Sequence, residues 1–298
     1  MNKFYKQWFF VLVFPAFTLF AFVIIIPFCK GVLYSLTNWR GTYFVGNKSM
    51  WESFVGFKNF VKAFKSEKFL ESLLYTFQVT FVTVPATTGM ALLVAVFLNK
   101  LGKSKSVFRT IFYLPNMLGN LAMGFVWVFI FQVVFTDNLF GPDGLVHIEA
   151  LRYMTQDKYK ALFAIVIMSV WVKMGYMMLI FVGGLNTIPS ELYEAASIEG
   201  ASAWQRFKYI TTPLLMPSVT IVLFLTLANS FKLLDRNVAL TEGSFGTRMI
   251  ALQIQKTITD TSPPDYGVAQ AQAVIFFIIV AVITLVQVTV TRKKEVEY

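Results

Sequence analysis

Six long runs of apolar residues constrain this chain more than any other feature of its sequence. A bilayer core about 30 Å thick needs roughly 20 apolar residues in a helix, and each run approaches or exceeds that length without clustered charge. The runs cover residues 8–28, 70–99, 107–136, 161–184, 218–234 and 268–291. Each must be helical, because a strand edge in lipid would leave its backbone groups unpaired. The sequence therefore predicts an all-α membrane protein with six transmembrane helices.

The composition agrees with this class and excludes others. Only 14% of the residues are charged while 56% are hydrophobic, which is too little charge for a soluble surface. The net charge of +10 does not indicate a nucleic-acid partner, since basic residues cluster beside apolar runs, at 100–109 and 292–294. One cysteine, Cys29, and one histidine, His147, are too few for a disulfide framework or a zinc site. We expect no metal.

The basic clusters also predict an orientation. The positive-inside rule places residues 100–109 and 292–294 in the cytoplasm, and six spans then put both termini there. Basic residues in the long connection 29–69 run against this pattern. The polar connections 137–160 and 236–267 should be outward-facing loops. The second and third runs exceed a straight crossing, so we expect them to tilt or kink, at Pro85 and Pro115.

The segment 188–213 lies between the fourth and fifth runs and contains residues that favour the start, the first turns and the end of a short helix. Ser190 can cap the helix, and Glu191 and Glu194 then lie near the positive end of its dipole. Gly200 can end it, because glycine adopts the left-handed conformation without strain. The local physics leaves two interpretations open, a rigid docking element or an ordinary interfacial helical hairpin.

A second short helix follows in the same segment. Ser202 and Gln205 have the spacing of a capping box, and Pro213 limits the helix. The whole segment resembles the conserved loop of ABC importer permeases, through Glu194, Ala195, Ala196, Gly200, Ile210 and Pro213. Thr212 stands where this family usually has Leu, and Glu199 stands where its sugar branch commonly has Asp.

The resemblance extends to the maltose-type and glycerol-phosphate-type sugar permeases over most of the chain. The matching segments are residues 34–37, 54–60, 113–115 and 229–232. It implies the type I importer permease fold, with a first helix and outer loop at 1–69, a five-helix core at 70–291 and a cytoplasmic tail at 292–298. It also implies a coupling role in ATPase docking for Glu191, Glu194, Ala195, Ala196 and Gly200.

The resemblance further implies the partners and the place of ATP hydrolysis. A second homologous permease, two cytoplasmic ATPase subunits and an extracytoplasmic substrate-binding protein should complete a sugar or oligosaccharide importer in a bacterial inner membrane. The chain's best match to a P-loop, residues 41–49, has Asn47 between its second glycine and its lysine. We therefore expect no enzyme activity in this chain, with ATP and Mg bound by the partner ATPases.

Two polar stripes predict a substrate path. Ser169, Lys173 and Tyr176 share one face of the fourth span, and Thr226, Asn229 and Ser230 share one face of the fifth. Hydroxyl and amide groups suit a neutral sugar, although helix packing explains any one of them equally well. Lys173 leaves two further possibilities open. It could bind an acidic sugar or phosphate cargo, or it could pair with a carboxylate of the neighbouring subunit. An ion-coupled secondary transporter and a non-transporting scaffold or sensor remain alternatives.

Overall fold

The computed structural model describes residues 3–46, 49–99, 101, 104–142, 144–146 and 148–295, and this part of the chain is predominantly helical. Asn47 and Lys48 of the P-loop-like stretch, His147, and Lys100 and Lys103 of the basic cluster lie outside the described residues. The helices are α1 (residues 3–35, with a wider π-helical turn at Ala21–Ile25), α2 (Lys58–Lys65), α3 (Glu67–Asn99), α4 (Lys105–Met117), α5 (Asn120–Leu139), α6 (Lys158–Thr187), α7 (Ser190–Ile198), α8 (Ala203–Leu214), α9 (Met216–Phe231), α10 (Leu234–Thr241), α11 (Ile250–Thr259) and α12 (Tyr266–Arg292).

The predicted all-α fold with six spans is confirmed. Five helices within the described ranges are long and apolar enough to cross a bilayer: α1 over Val11–Ser35, α3, α5, α6 and α12. α8 and α9 meet at an angle of 67° and pass the same test only when they are counted together, and this bent pair then makes the sixth span. Leu215 lies at this bend and is buried.

The third span differs from its prediction. Residues 107–136 do not form one helix, because Leu118 and Gly119 adopt extended backbone angles (ψ 146° and 135°) and separate α4 from α5. Pro115 was expected to be the kink, but it lies inside α4. A proline removes only its own N–H from the backbone hydrogen bonds of a helix, whereas two consecutive residues with extended backbone angles end the helix. α3 continues through Pro85 as a single helix.

The connection 236–267 is also more ordered than predicted. It contains α11 and most of α10 rather than only loop. Asn237 explains part of this order, because its buried side chain donates to the Thr247 carbonyl (2.8 Å) and accepts from the Met249 N–H (2.9 Å). A buried amide with both ends paired holds the turn between α10 and α11.

The chain divides into two compact units, and the first comprises Met1–Phe69 and Gln253–Ile278. Its best-defined feature is the end of α1, where the buried Asn59 side chain donates to the Ser35 carbonyl (2.9 Å) and the Thr37 carbonyl (2.7 Å). These bonds satisfy carbonyls that a helix end leaves without intrahelical partners. Gly267 lies against the same place, and a Cβ there would collide with the Thr37 carbonyl.

The second unit comprises Leu70–Leu252 and Ile279–Tyr298 and contains two hydrophobic clusters. One centres on Tyr75, Trp127 and Phe131, the other on Phe181 and Leu215. Small residues let its helices approach closely, as is common in membranes. The α6 segment near Gly175 lies so close to α4 that a Cβ would collide with the Phe112 carbonyl.

Candidate functional site

The segment 188–213 folds into two short helices joined at Gly200. The first, α7, begins at Ser190, which is already helical because Pro189 takes the extended N-cap geometry. Ser190 is therefore not the cap that the sequence predicted. The end of α7 is as predicted: Gly200 has φ +79°, and bonds from Gly200 N–H to Ser197 O (3.1 Å) and Ala201 N–H to Ala196 O (2.9 Å) complete a Schellman motif.

The second helix is anchored to the first by side chains. Ser202 and Gln205 form the predicted capping box. The Arg206 guanidinium donates to Ser197 Oγ at 2.6 Å, and the hydroxyls of Tyr193 and Thr211 are 2.9 Å apart. The helical stretch passes Pro213 by one residue before it bends at Leu215. These bonds hold the two helices as one element, which is the geometry of a rigid projection.

The predicted coupling residues form the surface of this projection. Glu191, Glu194, Ala195 and Gly200 are exposed, and Ala196 is half-buried. An open cavity of about 490 Å³ adjoins the same element and is lined by residues from α3, α6, α7 and α8 that include Val96, Asn99, Leu185, Tyr193, Trp204 and Phe207. Glu191 and Glu194 do not line it, and both are exposed.

Several helix ends of the second unit lie at the same end of the unit as this projection. Asn99, the last residue of α3, lines the cavity together with Tyr193 and accepts a bond from Lys105 Nζ (3.0 Å). Thr220, near the start of α9, donates to the Glu295 carboxylate at 2.6 Å. The connection between α3 and α4, the segment 188–213 and the chain after α12 thus share one end of this unit.

Five of the six predicted path residues line one further cavity, here called the polar cavity. They are Ser169, Lys173, Thr226, Asn229 and Ser230. The hydroxyls of Ser169 and Thr226 are buried and have no hydrogen-bond partner among the described residues. Tyr176 is exposed and does not line this cavity. The two stripes meet because α6 packs against α9, which sequence spacing alone does not determine.

Sequence reasoning missed several residues of the polar cavity. Thr83 and Thr87 of α3 also line it, with buried hydroxyls that lack a partner within the described ranges. Their spacing of four residues in an apolar run was a signal that could have found them. Arg236, 3% exposed, lines it as well, although its position in a polar connection gave no such signal.

Two cations of the polar cavity bind asparagines on the two sides of the break in the third span. Lys173 Nζ donates to Asn116 Oδ1 at 3.0 Å, before the break. Arg236 Nη2 donates to Asn120 Oδ1 at 3.1 Å, after it. Lys173, Arg236 and Asn120 also line an adjoining pocket with Lys232 and Asp235. Lys173 is therefore bound within its own chain.

The two sites differ in the chemical groups that they present. The polar cavity provides hydroxyls and cationic donors inside a bundle of apolar helices, and the projection exposes two carboxylates on a rigid element. Together with six spans, these features define a polytopic membrane component of a transport system. Residues 87–296 match the family model of the binding-protein-dependent transport system inner membrane component, and the chain belongs to this family. As such a component it works with a substrate-binding protein.

Known proteins similar to the chain agree with this assignment. It is 37% identical over 99% of its length to a probable starch degradation products transport system permease of Thermoanaerobacterium thermosulfurigenes, of which it covers 98%. It is 29% identical over 95% of its length to the trehalose/maltose transport system permease of Thermococcus litoralis, covering 93% of that protein. A crystal structure of a bacterial ABC transporter involved in import of the polysaccharide alginate superposes with a TM-score of 0.79, at 19% identity and with 98% of each chain covered, which shows the shared fold.

Proposed function

We propose that this chain is a permease subunit of an ATP-driven sugar or oligosaccharide importer in the cytoplasmic membrane. It forms half of the translocation path and pairs with a second, homologous permease. Two ATPase subunits bind ATP and Mg on the cytoplasmic side, and the binding protein delivers cargo on the other side. The observation that carries this proposal is the projection at 188–213, rigid and acidic, in a chain of this family.

The coupling role is supported by how the projection is built. Hydrogen bonds between Arg206 and Ser197 and between Tyr193 and Thr211 tie α7 to α8, and α8 leads directly into the span formed by α9. A force on α7 would therefore reach the helix that lines the polar cavity. Closure of the ATPases would shift the population between two packings of the path.

The cargo class is supported by the polar cavity and by the relatives. Hydroxyl and amide groups both donate and accept, as the hydroxyls of a neutral sugar require. The similar permease from Thermoanaerobacterium thermosulfurigenes is named for starch degradation products, and the one from Thermococcus litoralis is named for trehalose and maltose. Maltotriose, a short starch fragment, is therefore the probe that we choose. A neutral cargo is favoured over an acidic one, because these two relatives are named for neutral sugars.

The first prediction tests the coupling role. Glu194→Lys reverses the charge at the centre of the exposed face of α7, and we expect it to abolish ATP-dependent uptake of labelled maltotriose and co-purification of the ATPase. The expected physical cause is repulsion from a basic residue of the ATPase. Uptake is measured in proteoliposomes that contain the whole complex.

Glu71→Lys provides the matched control for that substitution. Glu71 is also exposed and helical, but it lies near the opposite end of α3 from Asn99, about 40 Å along the helix. We expect this variant to transport at the wild-type rate. Normal uptake and normal ATPase binding in Glu194→Lys would contradict the coupling role.

A further inference from the structure

The break in the third span is bridged from both sides by the cations of the polar cavity. α4 ends at Met117, α5 begins at Asn120, and the two residues between them are extended. Asn116 is bound by Lys173 of α6, and Asn120 is bound by Arg236 of α10. Two separate elements therefore fix the two ends of one potential hinge.

Both cations retain capacity for further acceptors. An ammonium has three N–H donors and a guanidinium five, and each makes one hydrogen bond among the described residues. Arg236 Nε is buried without a partner there, and neither cation has a described ion pair. Asp235 lines the adjoining pocket beside both cations, but it is within ion-pair distance of neither in the described part of the chain. Arg236 is buried and Lys173 is partly buried, so an acceptor that enters the cavity and bonds directly to them would be bound favourably.

The neighbouring groups select the kind of acceptor. The hydroxyls of Thr83, Thr87, Ser169 and Thr226 are buried in the wall of the same cavity and likewise have no described partner. In this packing the polar cavity measures only about 10 Å³, so cargo enters it when the surrounding helices part. A cargo with several oxygen atoms that both donate and accept would then pair with these hydroxyls and with the two cations. Its oxygen atoms would then compete with the amide oxygens of the asparagines for the same donors.

We propose that Lys173 and Arg236 form a cargo-responsive latch across the break in the third span. Without cargo, they hold Asn116 and Asn120 and keep the break in one conformation. Hydroxyl oxygens of the cargo take over these donors, the amides are released, and α4 and α5 change their mutual angle. This inference rests on the proposed import function, because it requires a polyhydroxylated cargo in the polar cavity.

The second prediction uses substitutions with opposite expected effects. Asn116→Asp and Asn120→Asp replace a neutral acceptor with a carboxylate, which strengthens the bond to the cation. We expect ATP hydrolysis stimulated by the maltotriose-loaded binding protein to fall about fivefold in the reconstituted complex. Asn116→Leu and Asn120→Leu remove the acceptor, so we expect hydrolysis without maltotriose to rise about fivefold.

A distance measurement tests the latch without cargo or transport. In a Cys29→Ser background, spin labels replace Val107 of α4 and Val126 of α5. The exposed fractions of these two side chains are 61% and 50%, so a label fits at either position. The Asp variants should narrow the distribution of distances between the labels, and the Leu variants should broaden it. Asn138→Asp, at an exposed asparagine outside the cavity, is the control and should leave both readouts unchanged.

The outcomes separate this inference from the proposed function. If the Asp and Leu variants lose stimulated hydrolysis alike and leave the label distances unchanged, the asparagines are merely structural and the latch is refuted. If the wild-type complex hydrolyses ATP without responding to maltotriose or to any other oligosaccharide, the proposed function itself fails. A wild-type response together with opposite shifts in the two sets of variants supports both.

Discussion

At the scale of single residues, close packing of the helices in this protein depends on glycines, which have no side chain. A Cβ at Gly175 would collide with the Phe112 carbonyl, and one at Gly124 would collide with the Ala239 methyl. Neither neighbour can rotate away, because a carbonyl group and an alanine methyl group are both fixed to the backbone. Gly183, in the same helix as Gly175, has open space where its Cβ would be.

The third prediction follows from that contrast. Gly175→Ala should destabilise the protein by about 1–3 kcal/mol, because the added methyl group must push α4 and α6 apart. Gly183→Ala should be neutral or stabilise by up to about 1 kcal/mol, since alanine has the higher helix propensity. Reversible unfolding in mixed detergent micelles measures both. Equal stabilities of the two variants would show that the contact with Phe112 imposes no constraint.

At the scale of elements, the projection at 188–213 is defined by how α7 ends. Its last turn is closed by the N–H groups of Gly200 and Ala201, which requires the positive φ of Gly200. Apart from its neighbours in sequence, no atom of the described residues lies within 4 Å of the position where a Cβ of Gly200 would be. Within this part of the chain, backbone conformation rather than space selects glycine here.

The fourth prediction uses two side chains that differ in their tolerance of positive φ. Gly200→Val should impose a strain of about 1–2 kcal/mol, which lowers the population of the docking conformation by about tenfold. Uptake of maltotriose should fall accordingly. Gly200→Asn should transport almost normally, because asparagine adopts the left-handed conformation readily. The comparison fails to support the role of α7 if both variants transport equally well or equally badly.

At the scale of the whole molecule, tertiary contacts support the orientation that the charges predicted. Lys105 beside Asn99, the projection at 188–213 and the segment after α12 share one end of the second unit. Arg206, Lys208 and the basic residues 292–294 belong to the same end. Basic residues accumulate on the cytoplasmic side, so we propose that this end faces the ATPases.

The fifth prediction tests that orientation. In a Cys29→Ser background, Lys294→Cys and Ser190→Cys should react with a membrane-impermeant maleimide in inside-out vesicles, and Asn138→Cys should react only in right-side-out cells. All three positions are exposed, so burial does not limit the reaction. The opposite pattern of labelling would place the projection outside and contradict the proposed coupling to ATPases.

Features that depend on local rules could be predicted from the amino-acid sequence. Run length and hydropathy located the spans, the basic flanks suggested an orientation, and the motif from Glu194 to Pro213 identified the family. The capping box at Ser202 and the glycine end of α7 were also predictable, because caps depend on residues within a few positions of each other. Ser190 was misassigned since Pro189 occupies the cap position.

The polar groups that share a cavity could be identified only once the packing of the helices was known. Thr83 of α3 and Arg236 of α10 line the polar cavity, and Asn116 of α4 accepts a bond from Lys173. Nothing in the spacing of these three residues links them to Lys173 or Thr226. The break at residues 118–119 is likewise flanked by asparagines whose partners lie 57 and 116 positions away. Periodicity reports which face of a helix is polar, whereas helix packing determines what that face meets.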